Sequence, residues 1–146
     1  MNNQYEIKKA SLTILEKDAK ILMIRRYNTG FADGLYTLPS GKVELNETFA
    51  QAAIRETLEE VNAKIKFSNL ESVLIMFEKT KDIEWIHHFF LCKEWEGKIQ
   101  NMEVNKCDDI DWFDINNLPE NTLAFVKDAI KKIYFDKQHY CEYGHP

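Results

Sequence analysis

The chain contains 146 residues with a net charge of −5, and 45% of its residues are hydrophobic while 29% are charged. These values predict one water-soluble domain, residues 1–146, and argue against a membrane protein and against binding of duplex nucleic acid. The three cysteines form no C-x-x-C pair and the N-terminal MNNQYEIKKA lacks the apolar core of a signal peptide, so we expect a cytoplasmic protein with reduced thiols.

The first quarter of the chain contains short β-prone runs. Ser11–Leu15 and Ile21–Ile24 flank a polar segment, residues 16–20, and predict a β-hairpin. A loop rich in turn residues follows at positions 28–34, and a short strand is predicted at Tyr36–Leu38, before Pro39.

A helix is predicted from Thr48 to Val61. Thr48 and Gln51 fit a capping box at its start, and Asn62 suits the left-handed conformation that ends many helices. The apolar residues at helical spacing predict a buried stripe formed by Ala50, Ile54, Leu58 and Val61.

The second half of the chain returns to strands and ends in a helix. Ser72–Phe77 and Ile83–Cys92 predict a second hairpin, Ile110–Phe113 a further strand, and Thr122–Phe135 a final helix. The order of strands, helix, strands and helix indicates an α+β fold, or an α/β/α sandwich.

Three glutamates form the most notable cluster of the chain. Glu56, Glu59 and Glu60 are three or four residues apart, so on a helix they face the same way and repel one another. A hard divalent cation such as Mg²⁺ would stabilise such a group, since it prefers oxygen ligands. Taken alone, however, the cluster is better explained as a solvated acidic face.

The residues around this cluster change that interpretation. Gly41, Glu47, Arg55 and the three glutamates have the spacing G-x5-E-x7-R-E-x2-E-E. A chance match to six fixed positions in this chain is on the order of one in a hundred thousand. The segment 41–63 resembles the Nudix box. It departs from the box at three positions, none of them a metal ligand: Thr57, Asn62 and Ala63.

This resemblance implies a Nudix fold with a central mixed sheet between helices, and hydrolysis of a nucleoside diphosphate linked to another group. It implies that Mg²⁺, or Mn²⁺, is bound by Glu56, Glu59, Glu60 and the carbonyl of Gly41. Arg55 would orient the carboxylates, with Glu59 as its i+4 partner. Glu47 would brace the start of the helix, and Glu44 would either support the site or be an ordinary surface residue.

Two residues are candidates for the general base that takes a proton from the attacking water. Glu60 belongs to the box, whereas Glu103 lies in a later loop, residues 101–106, that we expect to face the metal-binding helix. The box position is the favoured one.

Substrate recognition lies outside the box. The short chain, with Leu38-Pro39 before the box and Trp112-Phe113 near the end, resembles MutT-like members, which hydrolyse nucleoside triphosphates. In these, an Asn at the start of the last helix reads a purine edge, so Asn121 is a candidate, although helix capping is the favoured role. Further candidates for substrate binding, each with an ordinary structural explanation, are Arg25, Arg26, Tyr36, Phe31, Phe77 and Trp85.

The leading hypothesis is a Mg²⁺-dependent enzyme that converts a nucleoside triphosphate to the monophosphate and pyrophosphate. The same box also serves cleavage of ADP-ribose or of a dinucleoside polyphosphate. An alternative of another class is a non-catalytic, nucleotide-sensing Nudix domain. We expect the chain to bind a small nucleotide as its substrate, to bind neither duplex nucleic acid nor a membrane, and to act as a monomer or homodimer.

Overall fold

A computed structural model describes residues 6–144 of the chain. Residues 1–5, part of the segment that gave no sign of a signal peptide, lie outside this range. The elements in chain order are β1 (Ile7–Lys17), β2 (Lys20–Arg26), β3 (Tyr36–Thr37), β4 (Ser40–Lys42), α1 (Phe49–Val61), a 3-10 turn (Phe67–Asn69), β5 (Glu71–Lys79), β6 (Glu84–Cys92), β7 (Cys107–Asp114), α2 (Ala124–Tyr134) and β8 (Tyr140–Tyr143).

Strand β1 organises the mixed sheet because it pairs with three neighbours. It runs parallel to β6 over residues 7–15, antiparallel to β4 in its middle, and antiparallel to β2 at its end. From there β2 pairs with β3 and β7, while β6 pairs with β5, which pairs with β8. Asp18 and Ala19 form the two-residue turn of the first hairpin, with φ angles of 53° and 62°. A type I′ turn requires a positive φ at both of these positions. Both predicted hairpins are confirmed.

The two helices cover opposite faces of the sheet. Neighbouring residues of β1 show this, because successive side chains of a strand point to opposite faces. Ile14 belongs to a buried cluster with Val126 and Ile130 of α2, whereas Leu15 belongs to a second cluster with Val61 of α1. The predicted α/β/α sandwich is therefore confirmed.

Helix α1 begins and ends where the sequence predicted. The hydroxyl of Thr48 accepts a bond from the Gln51 N–H at 3.1 Å, and the Gln51 side chain accepts one from the Thr48 N–H at 2.9 Å. Asn62 ends the helix at φ 63°. These local hydrogen bonds depend only on nearby residues, which is why a sequence pattern can predict them.

The predicted buried stripe of α1 is confirmed only in part: Val61 is buried and Ile54 packs against the same core cluster, whereas Ala50 is half-buried. The buried residues are Ala52, Ala53, Thr57 and Val61, and Leu58 is 44% exposed. The helix is rotated so that Glu56 and Glu60 turn toward the cavity beside β4. Thr57 is tolerated in the packed face because its hydroxyl donates to the Ala53 carbonyl at 2.6 Å.

Other differences concern short elements. Strands β4 and β8 were not predicted, since three or four residues give too little periodicity to recognise. Helix α2 is shorter than predicted, and Leu123 at its N-cap makes no side-chain capping bond. The capping role favoured for Asn121 was therefore wrong.

Two further findings bear on the expectations from composition. Within residues 6–144, no helix is long and apolar enough to cross a membrane. Cys92, Cys107 and Cys141 are buried and free, so the described structure contains no disulfide between them.

Candidate active site

A cavity of about 550 Å³ lies beside β4 and α1. Its lining is strongly charged, with five carboxylates and three cations: Glu44, Glu56, Glu59, Glu60 and Glu103, with Arg26, Arg55 and Lys106. A groove of about 590 Å³ also lies against α2, but its only carboxylate is Asp128. The concentration of carboxylates makes the first cavity the candidate site.

Glu56 and Glu60 form the inner wall of this cavity. Glu60 accepts a hydrogen bond from the Ser40 N–H at 3.2 Å. Burial raises the pKa of Glu60 well above its usual range, and the adjacent Glu56 raises it further. Burial also raises the pKa of Glu56, although Arg55 opposes the change. A hydrogen bond between the two carboxyl groups also raises the pKa of Glu60 and opposes the rise in the pKa of Glu56.

Gly41 is required by the position of Glu56. A Cβ atom at residue 41 would lie 2.1 Å from Oε1 of Glu56 and 2.2 Å from its Cδ. Glycine therefore gives the carboxylate of Glu56 room to reach the backbone of β4. The side chain of Glu56 can take this position only because residue 41 has no Cβ atom.

Arg55 connects the box residues by hydrogen bonds. Its Nε and Nη2 donate to the two carboxylate oxygens of Glu47 at 2.8 and 3.0 Å. Its Nη1 donates to Glu56 at 2.7 Å and reaches Glu59 at 3.4 Å. The bond to Arg55 lowers the pKa of Glu47, and Glu47 raises that of Arg55.

The predicted partner of Arg55, Glu59, is therefore the most distant of the three glutamates it bonds to. Glu47 is the main partner, since a paired, two-point contact with an arginine is stronger than a single long one. Glu47 also accepts a bond from the Glu44 N–H at 3.0 Å. Its contacts are those of a residue that braces the loop and the helix start.

The outer wall of the cavity comes from the loop before β7. The N–H of Met102 donates to the Glu60 carbonyl at 3.0 Å, which fixes this loop to the end of α1. Glu103 thereby lies in the same cavity as Glu56 and Glu60. The structure thus brings together both candidates for the general base.

The donor atoms of the cavity suit a hard divalent cation. They are carboxylate and backbone oxygens, and the one thiol, Cys107, is kept protonated because burial raises its pKa. Among residues 6–144, no three acidic, His or Cys side chains already form a metal-binding group. Arg55 engages Glu56, and Glu59 is 54% exposed. The buried, mutually repelling pair of Glu56 and Glu60 nevertheless fits a cation that would allow both to ionise.

Comparison with known proteins agrees with this geometry. A NUDIX domain model matches residues 7–134. The chain belongs to the Nudix family. It is 36% identical over 121 residues to an ADP-ribose pyrophosphatase of Methanocaldococcus jannaschii, covering 83% of this chain and 69% of that protein. It is 30% identical over 128 residues to an 8-oxo-dGTP diphosphatase of Buchnera aphidicola, covering 84% of this chain and 92% of that protein.

A solved structure supports the same fold. The crystal structure of a MutT NUDIX hydrolase from Burkholderia pseudomallei superimposes with a TM-score of 0.80 and 20% identity, covering 88% of this chain and 98% of that one. This similarity shows a MutT-like fold, and the family match together with the two relatives identifies a Nudix hydrolase. The enzyme is a Nudix pyrophosphohydrolase.

The structure of this Nudix domain places two predicted substrate-binding residues outside the cavity. Tyr36 is only 7% exposed, its ring packs edge-on against Phe113, and its hydroxyl donates to Asp109. Burial raises the pKa of Tyr36 to about 12. Arg25 is bonded to Asp108 at 2.7 Å. The ring of Tyr36 is therefore not free to stack on a base in this structure, whereas the side chain of Arg25 is 34% exposed but paired; both substrate-binding roles stay predictions.

Asn121 lies beside the loop of residues 28–34. Its Nδ2 donates to the Gly34 carbonyl at 2.9 Å, and its backbone carbonyl accepts from the Tyr36 N–H at 2.8 Å. The side-chain oxygen of Asn121 accepts no bond from the described residues. It remains a candidate for contacting a base.

Six residues that line the cavity were absent from the predicted site: Ile24, Asn28, Thr29, Ser40, Lys106 and Cys107. Ser40 contributes a backbone N–H, which no residue type reveals. Lys106 could have been predicted, because it lies three residues after Glu103 in the loop that was expected to face α1. Arg26 lines the cavity where Arg25 does not, because adjacent residues of a strand face opposite sides.

Proposed function

We propose that this enzyme hydrolyses a nucleoside triphosphate to the monophosphate and pyrophosphate with Mg²⁺, for which Mn²⁺ can substitute. Glu56, Glu60 and Glu103 line the same cavity, which supports a metal-dependent hydrolysis of a phosphoanhydride. The share of each relative that matches this chain supports a nucleoside triphosphate as the substrate. The match covers 92% of the 8-oxo-dGTP diphosphatase but only 69% of the ADP-ribose pyrophosphatase.

The residues proposed to hold the metal are Glu56, Glu59, Glu60 and the carbonyl of Gly41. A bound Mg²⁺ would offset negative charge on the phosphoryl oxygens and align the phosphates. Arg55 holds Glu56 in place through its two-point bond to Glu47. Glu59 also lines the cavity, where its side chain is 54% exposed and lies 3.4 Å from Arg55.

Water attacks phosphorus and the bridging P–O bond breaks, while a carboxylate takes the proton from the water. Glu60 and Glu103 are the two candidates. We favour Glu60, the box residue, because it lies on the inner wall of the cavity, where the Ser40 N–H holds its carboxylate beside Glu56. Asn121 is the residue proposed to contact the base.

A second candidate substrate is ADP-ribose. The 36% identity with the ADP-ribose pyrophosphatase of Methanocaldococcus jannaschii favours it. Both substrates contain a phosphoanhydride that the same carboxylates would cleave, so the cavity alone does not distinguish them.

A substrate panel tests the proposal. Purified protein with Mg²⁺ is incubated with deoxynucleoside triphosphates, their oxidised forms, ADP-ribose and diadenosine polyphosphates, and pyrophosphate, phosphate and monophosphate are measured. We expect pyrophosphate and monophosphate from a triphosphate. Preferential cleavage of ADP-ribose or a diadenosine polyphosphate would contradict the proposed substrate. Nucleotide binding without any cleavage would indicate the sensing role.

Thermal unfolding tests the metal site separately from turnover. Mg²⁺ at one hundred times its Kd should stabilise the fold by about 2.7 kcal/mol, which raises Tm by roughly 5–10 °C. Glu60→Gln should abolish this increase. The exposed Glu120→Gln serves as the matched control and should retain it. An equal increase in all three proteins would exclude Glu60 as a metal ligand.

The same variant gives a pH prediction. Because the folded-state pKa of Glu60 is raised, its protonated form stabilises the metal-free fold at low pH, and this contribution is lost as the pH rises through the raised pKa. Metal-free Tm should therefore fall with rising pH more steeply in the wild type than in Glu60→Gln. Parallel pH curves would contradict the raised pKa.

We also propose that the enzyme acts in the cytoplasm. Three buried cysteines that form no disulfide with one another suit a reducing compartment. Periplasmic or secreted enzyme in a fractionated culture would contradict this assignment.

A further inference from the structure

The three cations of the catalytic cavity differ in how firmly they are held. Arg55 makes bonds of 2.7 to 3.0 Å with Glu47 and Glu56. Arg26 donates to the Phe31 carbonyl at 2.7 Å and to the Thr29 hydroxyl at 3.1 Å, so its guanidinium organises the 28–34 loop. Both arginines therefore already have partners within the protein.

Lys106 is held much more loosely. Its ammonium lies 3.9 Å from Oε2 of Glu103, and its side chain is 70% exposed. An exposed pair at this distance adds little stability, because solvent screens the charges and both side chains lose freedom. The ammonium of Lys106 is thus available to another anion at small cost.

The backbone of Lys106, in contrast, is fixed relative to the cavity. Its N–H donates to the Glu103 carbonyl at 2.9 Å, and its carbonyl accepts from the Tyr27 N–H at 2.9 Å. These bonds join the loop before β7 to the end of β2. A flexible side chain on a fixed backbone can reach a ligand in the cavity without rearrangement of the loop.

The negative charge of the cavity gives a role to a free cation such as the ammonium of Lys106. Five carboxylates line it, so a polyphosphate would be repelled unless a metal and further positive charges compensate. Lysine is well suited to bind phosphate as a mobile point charge. Among the described residues that line the cavity, Lys106 is the cation with no short hydrogen bond within the protein.

We propose that Lys106 is a phosphate-binding residue that leaves Glu103 for the phosphate chain of the substrate when the substrate enters. This inference rests on the proposed function and adds a binding residue to it. The exchange has a second consequence, because Glu103 loses its cationic partner at the moment of binding. Glu103 is then free to interact with the metal or with the attacking water.

Calorimetric titration with magnesium pyrophosphate tests the inference without turnover. The proteins to compare are the wild type, Lys106→Ala, Lys106→Arg and Lys98→Ala, an exposed lysine of the preceding segment that does not line the cavity. We expect Lys106→Ala to bind about tenfold more weakly, as the loss of one charged hydrogen bond implies. Lys106→Arg should bind within about threefold of the wild type, and Lys98→Ala as the wild type does.

Kinetics on the best substrate of the panel give a second measurement. Lys106→Ala should raise KM about tenfold and change kcat by less than threefold, while Tm stays unchanged because the side chain is exposed. Equal affinity of Lys106→Ala and wild type for magnesium pyrophosphate, no binding by the wild type, or no recovery in Lys106→Arg would overturn the inference. Lys106-dependent pyrophosphate binding without hydrolysis of triphosphates would instead contradict only the proposed substrate.

Discussion

Glu60→Gln is expected to lower kcat by roughly two to four orders of magnitude while leaving the fold intact. Glutamine has the same shape but removes the negative charge proposed to bind the metal and to accept the proton. The wild-type carboxyl group already has a pKa raised by burial and by Glu56, so a neutral side chain fits the metal-free site. The measurement is steady-state kinetics with saturating Mg²⁺, together with thermal unfolding.

The control for this substitution is Glu120→Gln, which makes the same change at an exposed position outside the cavity. It should retain wild-type kcat. Glu59→Gln should also reduce kcat, but less than Glu60→Gln, because Glu59 is more exposed and lies 3.4 Å from Arg55. Near-normal turnover of a folded Glu60→Gln enzyme would exclude Glu60 both as a metal ligand and as the base.

Gly41→Ala is expected to reduce kcat/KM roughly a hundredfold, the typical consequence of moving a catalytic group by about an ångström. The new Cβ would lie 2.1 Å from Oε1 of Glu56, so this carboxylate must move. The obstructing atoms belong to a flexible side chain rather than to the backbone, so the fold should tolerate the change. Kinetics and Tm measured on the same preparation separate the two effects.

A double-mutant cycle shows whether Gly41→Ala acts through Glu56. If displacement of the Glu56 carboxylate is the cause, Gly41→Ala should cost little further activity in a Glu56→Gln background, where that carboxylate has already been lost. Additive losses in the double variant would mean that the alanine disturbs β4 or the Gly41 carbonyl instead. A large drop in Tm for Gly41→Ala alone would point to the same conclusion.

The features that the sequence predicted well are those decided by near neighbours. The ends of α1 follow from Thr48, Gln51 and Asn62, whose bonds lie within a few residues. The first β-hairpin follows from two β-prone runs joined by a short polar turn. The box register of Gly41, Glu47, Arg55 and the glutamates identified the family because it fixes residue types at defined distances along one loop and helix.

The sequence was least informative where the packing of distant segments determines the structure. The apolar spacing placed Leu58 in the core, but the cavity beside β4 draws Glu56 and Glu60 inward and leaves Leu58 exposed. Tyr36 was a candidate for stacking on a base, yet contacts with Phe113 and Asp109 bury it. Helical spacing predicted Glu59 as a neighbour of Arg55, and the two do pair at 3.4 Å, but only the packing of the loop before α1 gives Arg55 its shorter, two-point contact with Glu47.

Glu56, Glu59 and Glu60 show which properties of the site follow from the sequence and which depend on the tertiary structure. By itself the sequence determined the family and the reaction class, because both depend on residue types at fixed spacing within one segment. Only the tertiary structure decided how deep each glutamate lies, with Glu60 bonded to the Ser40 N–H and Glu59 exposed. It also decided that Glu103 and Lys106 share their cavity, since a loop far along the chain is placed there by backbone bonds to α1 and β2.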